Sequence, residues 1–195
     1  METVAVYADR KALRRYFLIG VGFVVIGVVI TFGGHPVVGP VCAVFFGAVA
    51  TMYGMRYLNP KPLYELSPAG LRPWTGGLVP WRDVEDVGAG VLGRYPIVGV
   101  RLSDYLPYVR SAVGDMPTWK RISDAITALM AFGRVRGLEN LSRAERNVVI
   151  LLDWTRRKTA GLDLYWPARL LTGSPEELVN QIRTYRDEAL KGDPR

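Results

Sequence analysis

The sequence contains one cysteine, Cys42, and one histidine, His35. A single cysteine excludes a disulfide within the chain, and its usual role is that of a small buried hydrophobic residue. A single histidine, placed in a turn between two apolar runs, excludes a Ser-His-Asp or Cys-His arrangement in the rest of the chain and a zinc site of the usual Cys/His type. We therefore expect no metal, no cofactor and no enzyme activity.

Charge is also absent from one long stretch, since no Asp, Glu, Lys or Arg lies between Tyr16 and Met55. Residues 16–32 would form a helix of about 25 Å, near the lower limit for a hydrocarbon core of roughly 30 Å. After "GGHP", turn chemistry at 33–36, residues 37–58 offer a second uncharged run. We predict a transmembrane helical hairpin over 16–58. The absence of ionisable residues inside it argues against a transporter or channel.

Basic residues flank the hairpin and are missing from its turn. They are Arg10, Lys11, Arg14 and Arg15 before it, and Arg56 and Lys61 after it. Positive residues stay on the cytoplasmic side, so we expect a bacterial inner-membrane protein with both termini, including the basic segment 1–15, in the cytoplasm. A cleaved signal peptide is the alternative, but a second span follows directly and Thr31 and Gly33 make a poor cleavage pair.

Small residues recur on one face of each apolar run. They are Gly20, Gly27 and Thr31 in the first run, and Ala43, Gly47 and Thr51 in the second. Such residues let helix backbones approach closely in a membrane. We favour packing of the two spans on each other, with a homo-oligomer interface as the alternative.

Residues 59–195 are predicted to form a cytoplasmic α+β domain. Five short strands are expected in the following segments: 63–67, 71–74, 78–81, 83–92 and 97–102. A helical insertion at about 103–146 includes an amphipathic helix over 115–137. Strands resume at 147–154 and 162–171 around a basic loop, 155–161. The chain ends in a helix capped by Ser174, with Pro175 at its first position, Glu177 completing a capping box and Gly192 as its stop.

Two short motifs invite a catalytic interpretation. "GAGVLG" at 88–93 matches the dinucleotide pattern, but a strand rather than a helix follows it, so turn and bulge glycines are expected. "VPWRDVEDV" at 79–87 holds three carboxylates beside Trp81. We expect Trp81, Val84 and Val87 to point inward and the charged residues to remain at the rim, which makes the motif structural.

Two N-terminal spans, "NPKP" at 59–62, "VPWRDV" at 79–84 and the terminal "SPEEL" helix together resemble a family of small uncharacterised bacterial inner-membrane proteins that carry a pleckstrin-homology (PH)-like domain. The similarity covers about residues 10–102 and 147–190. It implies an antiparallel seven-stranded barrel-like sandwich with a C-terminal helix, and it implies no enzyme activity.

The net charge of the chain after the hairpin limits the classes of binding partner that we expect. Five of the 25 basic residues and two of the 18 acidic residues precede Tyr57, so the remainder carries a net charge of +4, too mild to indicate nucleic acid. We expect a membrane-anchored binding or scaffold protein whose PH-like domain holds a protein partner. The alternative is an anionic lipid headgroup sensor that uses the loop 155–161. Candidate headgroup contacts are the basic residues named above together with Arg156, Arg157 and Lys158.

Overall fold

The computed structural model describes residues 1–115, 138–159 and 161–192. The chain divides into two compact units. One is the helical segment Tyr7–Pro62, and the other combines Met1–Val6 with the chain from Leu63 onward.

The helical unit is an antiparallel pair of long helices. Helix α1 spans Arg10–Phe32 and α2 spans Val38–Leu58. Asp9 caps α1, its carboxylate accepting a hydrogen bond from the Lys11 amide at 2.9 Å. Both helices are long and apolar enough to cross a membrane, and only 11% of the most apolar window of each is buried. Residues 33–37 form the tight connection that the sequence predicts.

The described strands of the second unit form two sheets rather than a closed barrel. One sheet has the order β1 (Val4–Tyr7), β2 (Pro62–Ser67), β3 (Gly70–Pro73) and β4 (Val79–Pro80). The other has the order β5 (Val84–Leu92), β6 (Tyr95–Leu102) and β7 (Leu164–Pro167). Strands β2 to β7 lie in segments where the sequence predicts strands. Strand β1, which precedes the hairpin, is not predicted.

Antiparallel registers tie the neighbouring strands together. Leu71 of β3 pairs with Leu66 of β2 on one side and with Val79 of β4 on the other. In the second sheet, Val87 pairs with Val100. An irregularity between Val84 and Asp86 bends the start of β5. Strand β6 is buried on both faces at Ile97 and Val98, whereas an alternating run would leave one face open. Strand β6 pairs with β5 on one edge and with β7 on the other, so it is the central strand of its sheet.

Three further α-helices lie in the described part of this unit. Helix α3 spans Leu106–Asp115, α4 spans Arg143–Lys158 and α5 spans Pro175–Lys191. The cap, first-turn proline and capping box of α5 are formed as predicted by Ser174, Pro175 and Glu177. The predicted amphipathic helix at 115–137 lies outside the described residues, apart from Asp115, which ends α3.

The predicted strand at 147–154 and the predicted loop at 155–161 are both wrong, because helix α4 runs through Lys158. The run of β-branched residues at 148–150 favours a strand. Ser142 and Glu145 override it by forming both hydrogen bonds of a capping box. Val148, Val149 and Leu152 then become the buried stripe of an amphipathic helix.

Two tryptophans join the sheets and α5 into one core. The Trp166 indole of β7 donates to the Leu63 carbonyl of β2 at 3.1 Å, and its ring lies 4.7 Å from that of Tyr64. Trp81 donates to the Ser67 carbonyl at 2.8 Å and packs 5.8 Å from Tyr185 of α5. Each buried indole therefore keeps a hydrogen bond, which avoids the cost of an unpaired donor in the core.

Candidate functional site

The predicted basic flanks of the hairpin lie at one end of the helical unit. Arg10, Lys11, Arg14 and Arg15 occupy the first two turns of α1, and Arg56 lies in the last turn of α2. Lys61 follows α2 just before β2. A positive side chain in the first turn of a helix opposes the helix dipole. Helix stability therefore does not account for the basic start of α1.

A groove opens between the two helices at this same end. It is lined by Arg14, Phe17 and Leu18 of α1 and by Gly54, Tyr57 and Leu58 of α2, and it encloses about 310 Å³. The Phe17 ring lies over Gly54, where an added Cβ would come within 3.2 Å of the ring. The absent side chain of Gly54 thus lets the Phe17 ring lie against the α2 backbone.

The small residues predicted on α1 lie against α2. A Cβ at Gly20 would stand 3.0 Å from the Ala50 Cβ, and one at Gly27 would stand 2.8 Å from the Ala43 backbone nitrogen. A Cβ at Gly39 would collide with Thr31. The predicted small-residue face of α1 is therefore occupied within the hairpin.

The small residues predicted on α2 do not all face α1. Gly47 faces Val24, but Thr51 is exposed and its hydroxyl bonds back to the Gly47 carbonyl at 2.8 Å. Large apolar side chains such as Phe32 and Val44 cover the outside of the hairpin.

The basic segment at the end of α4 is built around a buried carboxylate. The side chain of Asp163 is fully buried and lies 2.8 Å from the Arg156 guanidinium. Asp163 also accepts from the Leu102 amide at 2.7 Å and from the Tyr105 hydroxyl at 3.2 Å. Arg156 donates further to the Leu102 carbonyl at 2.8 Å and lies over the Tyr105 ring. These bonds fasten α4 to β6 and to the approach to β7.

The electrostatics of this cluster follow from burial and from the ion pair. Burial opposes the charge on Arg156, but the hydrogen bond and the attraction of Asp163 outweigh it and raise the pKa of the guanidinium. Burial, and then the negative charge of Asp163, raises the pKa of Tyr105 to about 12. Arg156 is consequently held as a cation and Tyr105 as a neutral phenol at physiological pH.

The three predicted headgroup residues at this end of α4 have different surroundings. Arg156 is used internally, and Arg157 pairs with Asp153 one turn earlier at 2.6 Å. Lys158 is exposed at the end of the helix. Sequence reasoning missed Asp163, whose only signal is an acid placed within an otherwise apolar run, between Leu162 and Leu164.

Of the glycines of "GAGVLG", Gly93 lies in the β5–β6 turn, as predicted, whereas Gly88 and Gly90 pair in regular register with β6 and form no bulge. Gly88 and Gly90 lie in β5 beneath Leu162, and a Cβ at Gly90 would come within 3.2 Å of the Thr159 carbonyl oxygen. Gly93 has a φ of 64° in the turn, a conformation that other residues rarely adopt. The strand β6 follows, so the residues build no helix N-terminus for a phosphate.

The carboxylates of "VPWRDVEDV" are held apart rather than gathered. Trp81, Val84 and Val87 are buried, as predicted. Asp86 faces Arg183 of α5 at 3.3 Å, and Glu85 faces Arg101 at 4.0 Å. The acids therefore pair with separate arginines. Among the described residues no group of three His, Cys, Asp or Glu side chains could hold a metal ion.

An exposed apolar tip is the surface feature that sequence reasoning did not single out. Val91 and Tyr95 flank the β5–β6 turn, and both side chains are more than half exposed. Arg169 lies over the Tyr95 ring, 5.2 Å from its centroid, and Arg94 lies within the turn. Exposed aromatic and arginine side chains are enriched in protein interfaces. Alternating apolar residues beside a Gly-Arg turn are the only signal that could have found it.

A comparison with protein-family models, curated proteins and solved structures finds no match to this chain.

Proposed function

We propose that this protein is a membrane-anchored binding module whose sheet domain holds a protein partner at the cytoplasmic face of a bacterial inner membrane. The observation that carries the proposal is the place of the hairpin in the fold. Strand β1 precedes the hairpin and its sheet neighbour β2 follows it. The apolar helices are thus inserted between two hydrogen-bonded strands of one sheet.

The position of the hairpin between β1 and β2 constrains its orientation in the membrane. Two strands of one sheet lie about 5 Å apart, so they cannot lie on opposite sides of a hydrocarbon core of roughly 30 Å. Both ends of the hairpin then face the same side of the membrane. The basic residues at that end favour the cytoplasm. A role for α1 as a cleaved signal is disfavoured, because cleavage after α1 would remove β1 from its sheet.

The fold supports the PH-like assignment at the level of architecture. Within the described residues, four strands and three strands form two sheets, and α5 packs against β5 and β6. The expected sandwich with a C-terminal helix has this composition. Small sandwiches of this kind are scaffolds on which loops and turns provide binding surfaces.

The β5–β6 turn is the partner surface that the geometry favours. Val91 and Tyr95 offer exposed apolar area, and Arg94 and Arg169 provide adjacent positive charge. An acidic, partly apolar segment of a partner protein would complement this surface. The alternative headgroup sensor at the end of α4 has less support, since Arg156 and Arg157 already hold acidic partners within the chain.

Site-specific photo-crosslinking in cells tests the proposal. A photoreactive phenylalanine analogue at position 95 should crosslink to a discrete protein, while the same group at Arg82, whose side chain is 81% exposed, should not. Loss of that product on Val91→Asp would place the contact at the turn. Identical products from positions 95 and 82, or only lipid adducts at 95, would overturn the protein-binding role.

A further inference from the structure

The groove at the basic end of the hairpin combines an apolar floor with a single charged residue. Phe17, Leu18 and Leu58 supply the floor, and Arg14 is the only charged residue in the lining. Its volume of about 310 Å³ lies at the lower end of the range typical of ligand pockets, about 300–1,000 Å³. An apolar chain with one anionic group is the ligand chemistry that this lining matches.

Basic residues outnumber acidic residues around the groove. Residues 7–62 contain six basic residues and one acid, Asp9, whose carboxylate is already engaged as the cap of α1. Within the part of the chain that the structure describes, no ion pair involves Arg14. The basic start of α1 also opposes the helix dipole. Arg14 is therefore open to an anion from outside the chain.

Arg14 and Tyr57 also lie at the depth of the lipid headgroups. Arg14 lies one turn before Leu18, at the start of the uncharged stretch, where the headgroup layer of a bilayer gives way to hydrocarbon. Tyr57 lies opposite on α2, and tyrosine is enriched at this depth. A phospholipid in an adjacent leaflet would bring its phosphate to Arg14 and its acyl chain to Phe17 and Leu18.

We propose that this groove is a binding site for an anionic phospholipid, with the phosphate on Arg14 and one acyl chain lying along Phe17 and Leu18. The inference rests on the proposed membrane anchoring. Each basic residue near an anionic headgroup contributes enough attraction to change occupancy about fivefold. Arg14 is expected to account for a preference of that size.

Native mass spectrometry of the full chain, released from detergent with equal amounts of phosphatidylglycerol and phosphatidylcholine, tests the site. The unaltered chain should retain phosphatidylglycerol about fivefold more often. Arg14→Gln should abolish this preference, whereas Arg15→Gln, a neighbouring basic residue outside the lining, should preserve it. Gly54→Leu should lower retention of both lipids, whereas Gly22→Leu, whose side chain meets nothing within 4 Å, should not.

The outcomes separate this site from general attraction and from the anchoring itself. Equal losses for Arg14→Gln and Arg15→Gln would assign the preference to diffuse charge and overturn the site. No preference in the unaltered chain would overturn it too, while leaving the anchoring intact if the chain still resists extraction from membranes by alkaline carbonate. A chain that alkaline carbonate extracts would refute the anchoring as well.

Discussion

The ion pair of Arg156 and Asp163 joins α4 to the sheet at the scale of single residues. Asp163 has no exposed side-chain surface, so removing Arg156 leaves a buried carboxylate that keeps two hydrogen bonds but has no positive partner. Breaking such a pair costs about 3–5 kcal/mol at a buried site, and the partial exposure of Arg156 puts the cost at the lower end. Its neighbours Arg157 and Lys158 lie on the solvent side of the same turn.

We predict that Arg156→Ala lowers the free energy of unfolding by about 3 kcal/mol, while Lys158→Ala changes it by less than about 0.5 kcal/mol. Urea denaturation followed by tryptophan fluorescence measures both, because all five tryptophans lie outside the hairpin. Equal effects of the two variants would show that the ion pair of Arg156 and Asp163 does not stabilise the fold. The difference also means that reversing the charges of Arg156, Arg157 and Lys158 together would destabilise the domain, which would imitate a loss of lipid binding.

Tyr64 gives a second residue-level prediction, which concerns pH. Its hydroxyl is buried without a partner among the described residues, and burial raises its pKa from 10.0 to about 12. Because the folded pKa lies above the unfolded one, ionisation of this group does not affect stability below pH 10, and it lowers the free energy of unfolding as the pH rises from 10 through 12. Two pKa units correspond to roughly 2–3 kcal/mol.

Tyr64→Phe should therefore equal or exceed the unaltered chain in stability at neutral pH, by up to about 1 kcal/mol, since the ring contact with Trp166 remains and an unpaired hydroxyl is removed. Between pH 10 and 12 the unaltered chain should lose stability faster than the variant. Urea denaturation across this interval measures the gap. Parallel declines would mean that Tyr64 does not titrate on unfolding.

At the scale of elements, α1 and α2 depend on backbone contact. Gly27→Leu would force a side chain into the Ala43 backbone, and backbone cannot move aside as a flexible side chain can. Gly22→Leu is the matched control, since its side chain meets open space. We predict that the Gly27→Leu substitution separates the two helices and markedly lowers the melting temperature of the protein measured in detergent. A control that melts as low as the Gly27 variant would contradict this explanation.

The elements also show where local sequence decides structure. Helix α5 could be predicted because its cap, capping box and apolar stripe agree with one another. Helix α4 could not, because its β-branched run and its capping box point to different structures, and burial of Val148 and Leu152 against the fold settles the choice. The ion pair of Arg156 with Asp163 follows from that choice. A loop at 155–161 gave no reason to seek an internal partner.

At the scale of the whole molecule, the pairing of β1 with β2 joins strands that are far apart in the sequence. Strand β1 is four residues long, too short for a reliable period, and its neighbour β2 begins more than fifty residues later, beyond the hairpin. Sequence reasoning therefore placed residues 1–15 outside the domain. The structure assigns Met1–Val6 to the sheet unit, and the Tyr185 hydroxyl of α5 donates to the Glu2 carbonyl at 2.7 Å.

A soluble fragment that begins at residue 60 should consequently be an incomplete domain. We predict that joining residues 1–8 to residues 61–195 through a flexible glycine-serine linker raises the free energy of unfolding by about 2 kcal/mol over residues 60–195 alone. A short edge strand restores a few hydrogen bonds of about 1 kcal/mol each, minus the cost of ordering. Urea denaturation of both proteins without detergent measures the difference.

The matched control is the same joined protein with Ala5→Pro and Val6→Pro. Neighbouring residues of a strand direct their N–H groups to opposite sides, so one of the two prolines must remove a bond to β2. The control should be no more stable than residues 60–195. If the joined protein, its proline control and the short fragment all unfold at the same urea concentration, β1 adds nothing to the domain, and the topological argument for a hairpin inserted between paired strands fails with it.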